Sequence, residues 1–219
     1  MKKLQFRDIG QMEYLEAKAL QEEYHAKVLA EESGFEHGIF LFCSHPHVLT
    51  SGISGKDGNL LVSDEILRAK GVSQVKTNRG GDITYHGPGQ IVGYPIIPLS
   101  KYGLGVKSYV DLLEELIIRS IASFNIRCER LTGATGVWIR DGAGDRKICA
   151  MGIRVSRAIT MHGFALNVNT DLSYFRLINP CGYTDKGVTS ISKEAGYRIS
   201  EKEVLEVLIN NFRELTDSN

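Results

Sequence analysis

The chain has 219 residues, of which 42% are hydrophobic, and its 26 basic side chains balance 26 acidic ones. A chain of this size can bury a substantial core, and no linker or low-complexity stretch divides it, so we expect one domain over residues 1–219. The formal charge of zero does not favour a nucleic-acid partner, because such proteins usually carry a basic excess.

Helical and strand-like segments alternate through the first hundred residues. Residues 11–32 are predicted to form a helix, "GIFLFCS" a buried strand, and "SDEILRAKG" a short helix capped by Ser63 and stopped by Gly71. "QIVGYPIIPL" reads as a strand, and Pro95 and Pro98 place it at a sheet edge or a bulge, because proline cannot donate to a ladder. The expected buried stripe of the first helix comprises Leu15, Ala19, Leu20, Tyr24, Val28 and Leu29.

The second half of the chain contains two longer helices and a hairpin. Ser108 with Asp111 resembles a capping box before a long helix, and Ser200 with Glu203 forms one before the last helix. "GATGVWIRD" and "RKICAMGIRV" are predicted strands joined by a Gly-Ala-Gly-Asp turn, and "MHGFALNVNTDL" is another strand. We therefore expect an α/β fold of the α+β type, with a mixed, largely antiparallel sheet flanked by helices.

A glycine-rich stretch, "RGGDITYHGPG", directly precedes the "QIVGYPIIPL" strand. It matches neither the dinucleotide-binding nor the P-loop pattern. Glycines let the backbone approach a ligand closely, and a cluster of Arg79, Thr84, Tyr85, His86 and Gln90 is costly to bury without partners. The stretch is either an ordinary loop with turn glycines or the polar wall of a pocket.

Cys181 is the cysteine whose position best suits chemistry, because it lies in the polar turn "NPCGYTD". Cys43, Cys128 and Cys149 lie in or beside apolar segments typical of a core. The uneven spacing gives no disulfide framework, and no C-x-x-C pair predicts zinc. A free thiol has a pKa of ~8.5, so a nucleophilic cysteine needs a cation or base beside it. His86, His162 and Lys147 are all candidates, and spacing alone does not choose among them.

No signal peptide and no stretch of ~18–20 apolar residues is evident, which predicts a cytoplasmic protein without a membrane span.

Taken together, these segments resemble the lipoate-biosynthesis octanoyltransferases, also called lipoyl(octanoyl) transferases. The resemblance is carried by "RGGDITYHGPGQIVGYPIIPL", "GVWI" followed by "RKICAMGIRV", "HGFALNVNTDL" and "INPCG", which occur in the family's order over about half the chain. It implies a fold shared with lipoate- and biotin-protein ligases. It also implies transfer of an octanoyl group from octanoyl-acyl carrier protein to a lysine on lipoyl domains of dehydrogenase complexes and the glycine-cleavage protein, by a monomer without a cofactor.

The resemblance also implies roles for individual residues. The acyl-thioester nucleophile falls on Cys181 and the activating lysine on Lys147. The substrate-binding segments fall on Arg79, Gly80, Gly81, Asp82, Ile83, Thr84, Tyr85, His86, Ala150, Met151, Gly152, His162, Gly163, Phe164 and Ala165.

Three other functions fit parts of the pattern. An ATP-dependent lipoate-protein ligase has a related fold, a similar glycine stretch and a lysine in the corresponding strand, but needs no nucleophilic cysteine. A cysteine hydrolase would use Cys181 with His162. A non-catalytic module would bind acyl chains or acidic carrier domains on a face formed by Arg154, Arg157 and Lys193.

Overall fold

The computed structural model describes residues 4–55, 57–179 and 186–217, so Cys181 lies outside the described residues. Eleven strands and five helices are found in these ranges. The strands are β1 (Gln5–Gln11), β2 (Ile39–Ser44), β3 (Val48–Ser51), β4 (Ser73–Lys76), β5 (Ile83–His86), β6 (Gln90–Ile96), β7 (Glu129–Leu131), β8 (Ala134–Ile139), β9 (Arg146–Ser156), β10 (Ile159–Asn167) and β11 (Gly187–Val188). The helices are α1 (Tyr14–Leu29), α2 (Asp64–Ala69), α3 (Val106–Ala122), α4 (Ile191–Ala195) and α5 (Glu201–Asp217).

The strands form two sheets. The larger has the order β1-β2-β6-β10-β9-β8-β7, with β11 paired beside β9, and the smaller has the order β4-β3-β5. The pairs β1–β2, β9–β11 and β3–β4 are parallel and the other pairs are antiparallel. The predicted mixed, largely antiparallel sheet with flanking helices is confirmed.

Helices cover both faces of the larger sheet. In β2, Phe40 and Phe42 belong to a core cluster that includes residues of α3 and α5, whereas Leu41 and Cys43 pack in a second cluster with α1. This alternation follows from the two-residue period of a strand, and it explains why "GIFLFCS" is apolar at nearly every position.

The helix predicted within residues 11–32 is present, but its expected buried stripe is right only at Tyr24 and Val28. Leu15 is 62% exposed and Leu29 is 39% exposed. The buried side chains are instead Tyr14, Ala17, Gln21, Tyr24 and Val28, at alternating spacings of three and four residues. Apolar periodicity does not indicate Gln21, because it is polar. Its buried Oε1 accepts a hydrogen bond of 2.9 Å from the His162 amide.

Strand β6 lies between β2 and β10, so of the two alternatives predicted from Pro95 and Pro98, a sheet edge or a bulge, the sheet edge is wrong. The β6–β10 ladder reaches Gly93 opposite Phe164, and a further bridge joins Pro98 to Ile159 in the same register. That register places His162 opposite Pro95. Proline has no N–H to give, and the His162 amide turns away to Gln21 with a backbone φ of +56°. The sheet tolerates a central proline because its ladder opens at this point.

Ser108 was predicted to be the N-cap of helix α3, but the helix begins after Gly105. Ser108 therefore lies in the first turn, where its Oγ accepts a hydrogen bond of 2.9 Å from the Gly105 amide. The cap predicted at Ser200 agrees with the structure, since its Oγ accepts a hydrogen bond of 3.3 Å from the Glu203 amide.

Thr160 bridges the opened ladder, and replacing it tests the importance of that bridge. Its hydroxyl donates to the Pro95 carbonyl at 2.7 Å and accepts from the Ile97 amide at 3.0 Å. Thr160→Val should lower the free energy of unfolding by about 1–3 kcal/mol, because it leaves buried polar groups without these partners. Urea unfolding measures the loss, and Thr160→Ser, which keeps the hydroxyl, should lose less. Equal stability of Thr160→Val and the unchanged protein would contradict this role.

Candidate functional site

A cavity with about 500 Å³ of empty space, part of which is open to solvent, lies where β6, β9 and β10 meet the glycine-rich stretch. Among the predicted site residues that the structure describes, all except Gly80 and Tyr85 line it. Three further residues that were not predicted also line it, Tyr14 from α1 and Val92 and Tyr94 from β6. Nothing in the local sequence marked Tyr14, whereas Val92 and Tyr94 lie in the strand that directly follows the glycine stretch.

The two predicted residues outside the cavity lining support it from behind. Tyr85 stacks on Tyr174 with ring centroids 5.1 Å apart, and its hydroxyl lies 2.7 Å from Nδ1 of His47. Gly80 donates its amide to the Ile153 carbonyl at 2.9 Å, which ties the glycine stretch to β9.

Lys147 reaches the cavity because of an irregularity between β8 and β9. Val137 pairs with Cys149 but the next residue, Trp138, pairs with Lys147, so β9 has one extra residue, Ile148, at this point. Ile148 and Cys149 both pack in the core cluster on the α3 side, whereas Lys147 and Ala150 both line the cavity. Strict alternation would have sent Lys147 to the same face as Cys149. The extra residue therefore turns the lysine towards the cavity.

The surroundings of Lys147 are aromatic on one side and connected to β11 on the other. Its Nζ lies 4.6 Å from the ring centroid of Trp138, a cation–π geometry. Its carbonyl accepts from the Thr189 amide at 3.0 Å, and Val188 is its ladder partner in β11. Lys147 also lines a neighbouring cavity together with Lys186. The chain therefore returns to Lys147 five residues after Cys181.

A buried hydrogen-bond chain fixes the wall opposite Lys147. The Arg79 guanidinium donates to Oγ1 of Thr50 at 2.9 Å, and that oxygen lies 3.2 Å from Nε2 of His86. Nδ1 of His86 lies 2.8 Å from the amide oxygen of Gln90. Because an amide oxygen only accepts, Nδ1 carries the proton and Nε2 accepts from the Thr50 hydroxyl.

The same chain continues to the residues that follow β11. The side-chain amide of Gln90 donates to Oδ1 of Asn167 at 2.9 Å, and Nδ2 of Asn167 donates to the Thr189 carbonyl at 3.0 Å. The glycine stretch, β10 and the segment after β11 are thus joined by side chains with partners, which makes this wall rigid.

The two histidines that line the cavity are neutral at pH 7. Burial is the main reason that the pKa of His86 lies well below its ordinary value, with the nearby His45 and Arg79 adding to the shift. Burial, followed by Arg79, lowers the pKa of His162 to about 4. Neither imidazole can therefore supply the positive charge that a nucleophilic thiol needs.

His162 holds a conformation that is unusual for a residue other than glycine. It is 1% exposed, and Nε2 lies 2.8 Å from the amide oxygen of Asn78. That pairing puts the proton on Nε2 and leaves a lone pair on Nδ1, which has no hydrogen-bond partner within the described ranges. The strained backbone and the unpaired nitrogen occur together at the cavity, as expected of a functional position.

Glycine is required where strands approach each other behind the cavity. A Cβ on Gly163 would lie 2.1 Å from the Gly93 carbonyl oxygen, and one on Gly152 would lie 2.7 Å from that of Gly80. A side chain at either position would push the sheet apart or fill the cavity.

The three cysteines that the structure describes are core residues, as predicted. Cys43, Cys128 and Cys149 are all buried. Burial raises the pKa of the Cys128 thiol to about 12 and raises those of Cys43 and Cys149 further above the ordinary value. None of the three is suited to nucleophilic chemistry.

Two other features, a metal-binding cluster and a membrane-spanning helix, are absent from the described residues. These residues contain no group of three or more histidine, cysteine or acidic side chains placed to hold a metal ion. None of their helices combines the length and the apolar character that crossing a membrane requires.

Comparison with known proteins gives a consistent result. The model of the lipoyl protein ligase A/B catalytic domain matches residues 13–213. An octanoyltransferase from Parabacteroides distasonis is 52% identical over 200 residues, which cover 90% of each chain. A bipartite lipoate protein ligase from Thermoplasma acidophilum has a similar fold, with a TM-score of 0.71 at 15% identity over 97% of this chain and 82% of that one. Biotin protein ligase from Aquifex aeolicus has a similar fold at a TM-score of 0.53 and 12% identity, over 100% and 70% of the two chains.

The lowered pKa of His162 predicts a specific acid sensitivity. Between pH 6.5 and about 4 the unfolded chain takes up a proton at this residue and the folded chain does not. The free energy of unfolding should therefore be flat above pH 6.5 and fall below it, with His162 contributing up to about 1.4 kcal/mol per pH unit. Asparagine tolerates positive φ, so His162→Asn should fold and show a shallower pH dependence.

Urea unfolding at a series of pH values measures this difference. Gln21→Met is the matched control, because it removes the hydrogen bond to the His162 amide but leaves the imidazole in place. The control should keep the steeper pH dependence. Identical slopes for His162→Asn and the unchanged protein would show that this histidine is not held neutral by the fold.

Proposed function

Since this chain belongs to the lipoyl protein ligase A/B family, as an octanoyltransferase, we propose that it moves an octanoyl group from octanoyl-acyl carrier protein to a specific lysine of lipoyl domains, through a thioester on Cys181. The proposed acceptors are the lipoyl domains of dehydrogenase complexes and the glycine-cleavage protein. The observation that carries the proposal is the placement of Lys147 in a largely apolar cavity, next to the strand that follows the Cys181 segment.

Cys181 is the proposed nucleophile because of its position in the chain and because the other three cysteines are unsuited to this role. Cys43, Cys128 and Cys149 have raised pKa values in the core. Cys181 precedes Lys186 by five residues, and Lys186 lines a cavity together with Lys147.

Lys147 is the proposed activating group because both cavity histidines are neutral. As a cation, Lys147 stabilises the thiolate beside it, and as a neutral amine it takes up the thiol proton. The thiolate attacks the octanoyl thioester, the bond to the carrier sulfur breaks, and the carrier leaves as a free thiol after taking a proton from Lys147. In the second step the amine of the acceptor lysine attacks the octanoyl-Cys181 thioester, Lys147 takes the proton that the nitrogen loses, the C–S bond breaks, an amide forms and the Cys181 thiolate is released.

The cavity suits a short saturated acyl chain. Its walls include the apolar side chains of Ile83, Val92, Met151 and Phe164. Each methylene of an octanoyl chain buried there contributes about 0.8 kcal/mol to binding. The thioester is already activated, so the proposed reaction uses no ATP.

The alternative function is an ATP-dependent lipoate-protein ligase. The fold supports a ligase as well as a transferase, because solved structures of a similar fold are lipoate and biotin protein ligases. The two reactions differ in whether a covalent acyl-enzyme forms without ATP. A hydrolase would form the same intermediate but release free octanoate without an acceptor protein.

The proposal predicts a covalent intermediate that intact-mass measurement detects directly. Incubation of the protein with octanoyl-carrier thioester, without ATP or acceptor, should add one octanoyl group. Cys181→Ala should abolish the adduct, and Lys147→Met should slow its formation by at least about a hundredfold, because the thiol loses its base. Adding a lipoyl domain should then move the octanoyl group to that domain.

Cys128→Ala is the matched control, since it removes a different cysteine and should leave adduct formation intact. If no adduct forms, and lysine acylation appears only with ATP and free acid, the chain is a ligase and Cys181 has no catalytic role. Release of free octanoate at the same rate with and without acceptor would identify a hydrolase.

A further inference from the structure

A buried carboxylate on α3 faces the irregular pairing of β8 with β9 from behind. Glu114 is 6% exposed, and its Oε1 accepts a hydrogen bond of 2.9 Å from the amide of Gly136 in β8. Its other oxygen pairs with Arg130 at 3.1 Å, but the side chain of that arginine is 42% exposed and also donates to Glu115 and to the Asp111 carbonyl. A pair with a half-exposed arginine contributes little and does not require a buried acid. The Gly136 amide therefore explains the burial of Glu114 better than Arg130 does.

Gly136 needs an acceptor outside the sheet because both of its neighbouring ladders pass it by. The register of β8 with β9 starts at Val137, and the register with β7 skips Gly136 as well, so within the described strands Gly136 has no ladder partner. Its φ is +117°, and a Cβ here would lie 2.5 Å from the Cys149 carbonyl oxygen and 3.5 Å from Cε of Lys147. The backbone of β8 thus lies directly against the irregular part of β9, with its amide turned away to α3.

The hydrogen bond to Gly136 therefore acts on the segment of β9 that carries Lys147. The Cys149 thiol lies close enough to both Lys147 and Glu114 for each charge to act on its pKa, in opposite directions. If the Gly136 amide lost its acceptor, β8 could pair that amide again only by moving back into register with β9. A regular register would return Lys147 to the same face as Cys149, because side chains alternate along a strand.

We propose that Glu114 is a positioning residue for the acyl transfer. By accepting from the Gly136 amide it holds the irregular pairing of β8 with β9, and that pairing keeps Lys147 turned towards the cavity. Glu114 acts from the α3 side of the sheet and does not itself line the cavity. The inference rests on the proposed function, because Lys147 is the activating group in that reaction.

Trp138 provides a readout of this placement that does not depend on acyl transfer. It is the only tryptophan in the chain, and Nζ of Lys147 lies 4.6 Å from its ring centroid. Lys147→Met should change the fluorescence of Trp138, because it removes the cation from the ring. In a Glu114→Met background most of that change should be lost, since the lysine has already left the ring. Equal changes in the two backgrounds, or no change in the first, would overturn the proposal.

The rate of acyl-enzyme formation from octanoyl-carrier thioester, followed by intact mass, measures the consequence for the reaction. Glu114→Met should lower this rate by at least about tenfold, because misplacing a catalytic group is costly. Glu114→Gln should retain most of the rate, since its amide oxygen still accepts from Gly136 although the charge is gone. Glu114→Asp keeps the charge but is one carbon–carbon bond shorter, so it should lose more than Glu114→Gln. The reverse order would refute positioning and assign Glu114 a role through its charge.

Ser120→Ala is the matched control for a loss of stability. Ser120 also lies on α3, is 1% exposed, and its Oγ donates to the Leu116 carbonyl and accepts from Asn211 of α5. Urea unfolding compares its stability with that of Glu114→Met. Ser120→Ala should keep both the acylation rate and the response of Trp138 to Lys147→Met. A loss as large as that of Glu114→Met would contradict the proposal, because packing of α3 rather than the Gly136 hydrogen bond would then set the rate.

Two further outcomes are separated by the same set of proteins. If Glu114→Met does not fold, Glu114→Asp takes its place in the fluorescence comparison, with the same expected result. If the unchanged protein forms no adduct but the fluorescence changes are as expected, the proposed function fails and the placement of Lys147 by Glu114 is supported.

Discussion

The extra residue in β9 is the constraint on which the candidate site depends. Ile148 and Cys149 fill consecutive positions in the core, so Lys147 is released from the alternation of the strand and turns to the cavity. The same strand segment carries Ala150 and Gly152 on the cavity wall, and its outer side pairs with β11 at Val188. The irregular pairing of β8 with β9 therefore determines how Lys147, the cavity wall and strand β11 are positioned relative to one another.

A second irregularity, at Pro95 and His162, opens the sheet on the other side of the cavity. A regular ladder there would place side chains of β6 and β10 close together and leave little space between them. Two side chains stabilise the opening by forming hydrogen bonds with backbone groups that have no ladder partner. Thr160 bonds to the Pro95 carbonyl and the Ile97 amide, and Gln21 bonds to the His162 amide. The strain at His162 is compatible with folding because these buried hydrogen bonds determine its position.

The elements with strong periodicity were predictable from the sequence, and the irregular ones were not. "GIFLFCS" and the hairpin of β8 and β9 followed from apolar patterning and turn residues. The stripe of α1 was predicted correctly at Tyr24 and Val28 but not along its first half, where the polar residue Gln21 is buried by a partner 141 residues away. The central position of Pro95 depends on a side chain in β10, and the orientation of Lys147 on a pairing between two strands. Long-range partners of this kind leave no local signal. Residue chemistry indicated the polar cavity residues of the glycine stretch and the candidate bases Lys147 and His162. Motif resemblance was needed for the remaining predicted cavity residues, and Tyr14, on a distant helix, was missed.

The central claim is that Lys147 activates Cys181, and the reactivity of the thiol tests it most directly. The measurement is the rate at which iodoacetamide alkylates Cys181 at pH 7, followed by peptide mass mapping, in the unchanged protein and in Lys147→Met. Only the thiolate reacts, so the account predicts that the variant is alkylated at least about tenfold more slowly. Equal alkylation rates in the two proteins would contradict it and would leave the lysine at the β9 irregularity without a role in activating the thiol.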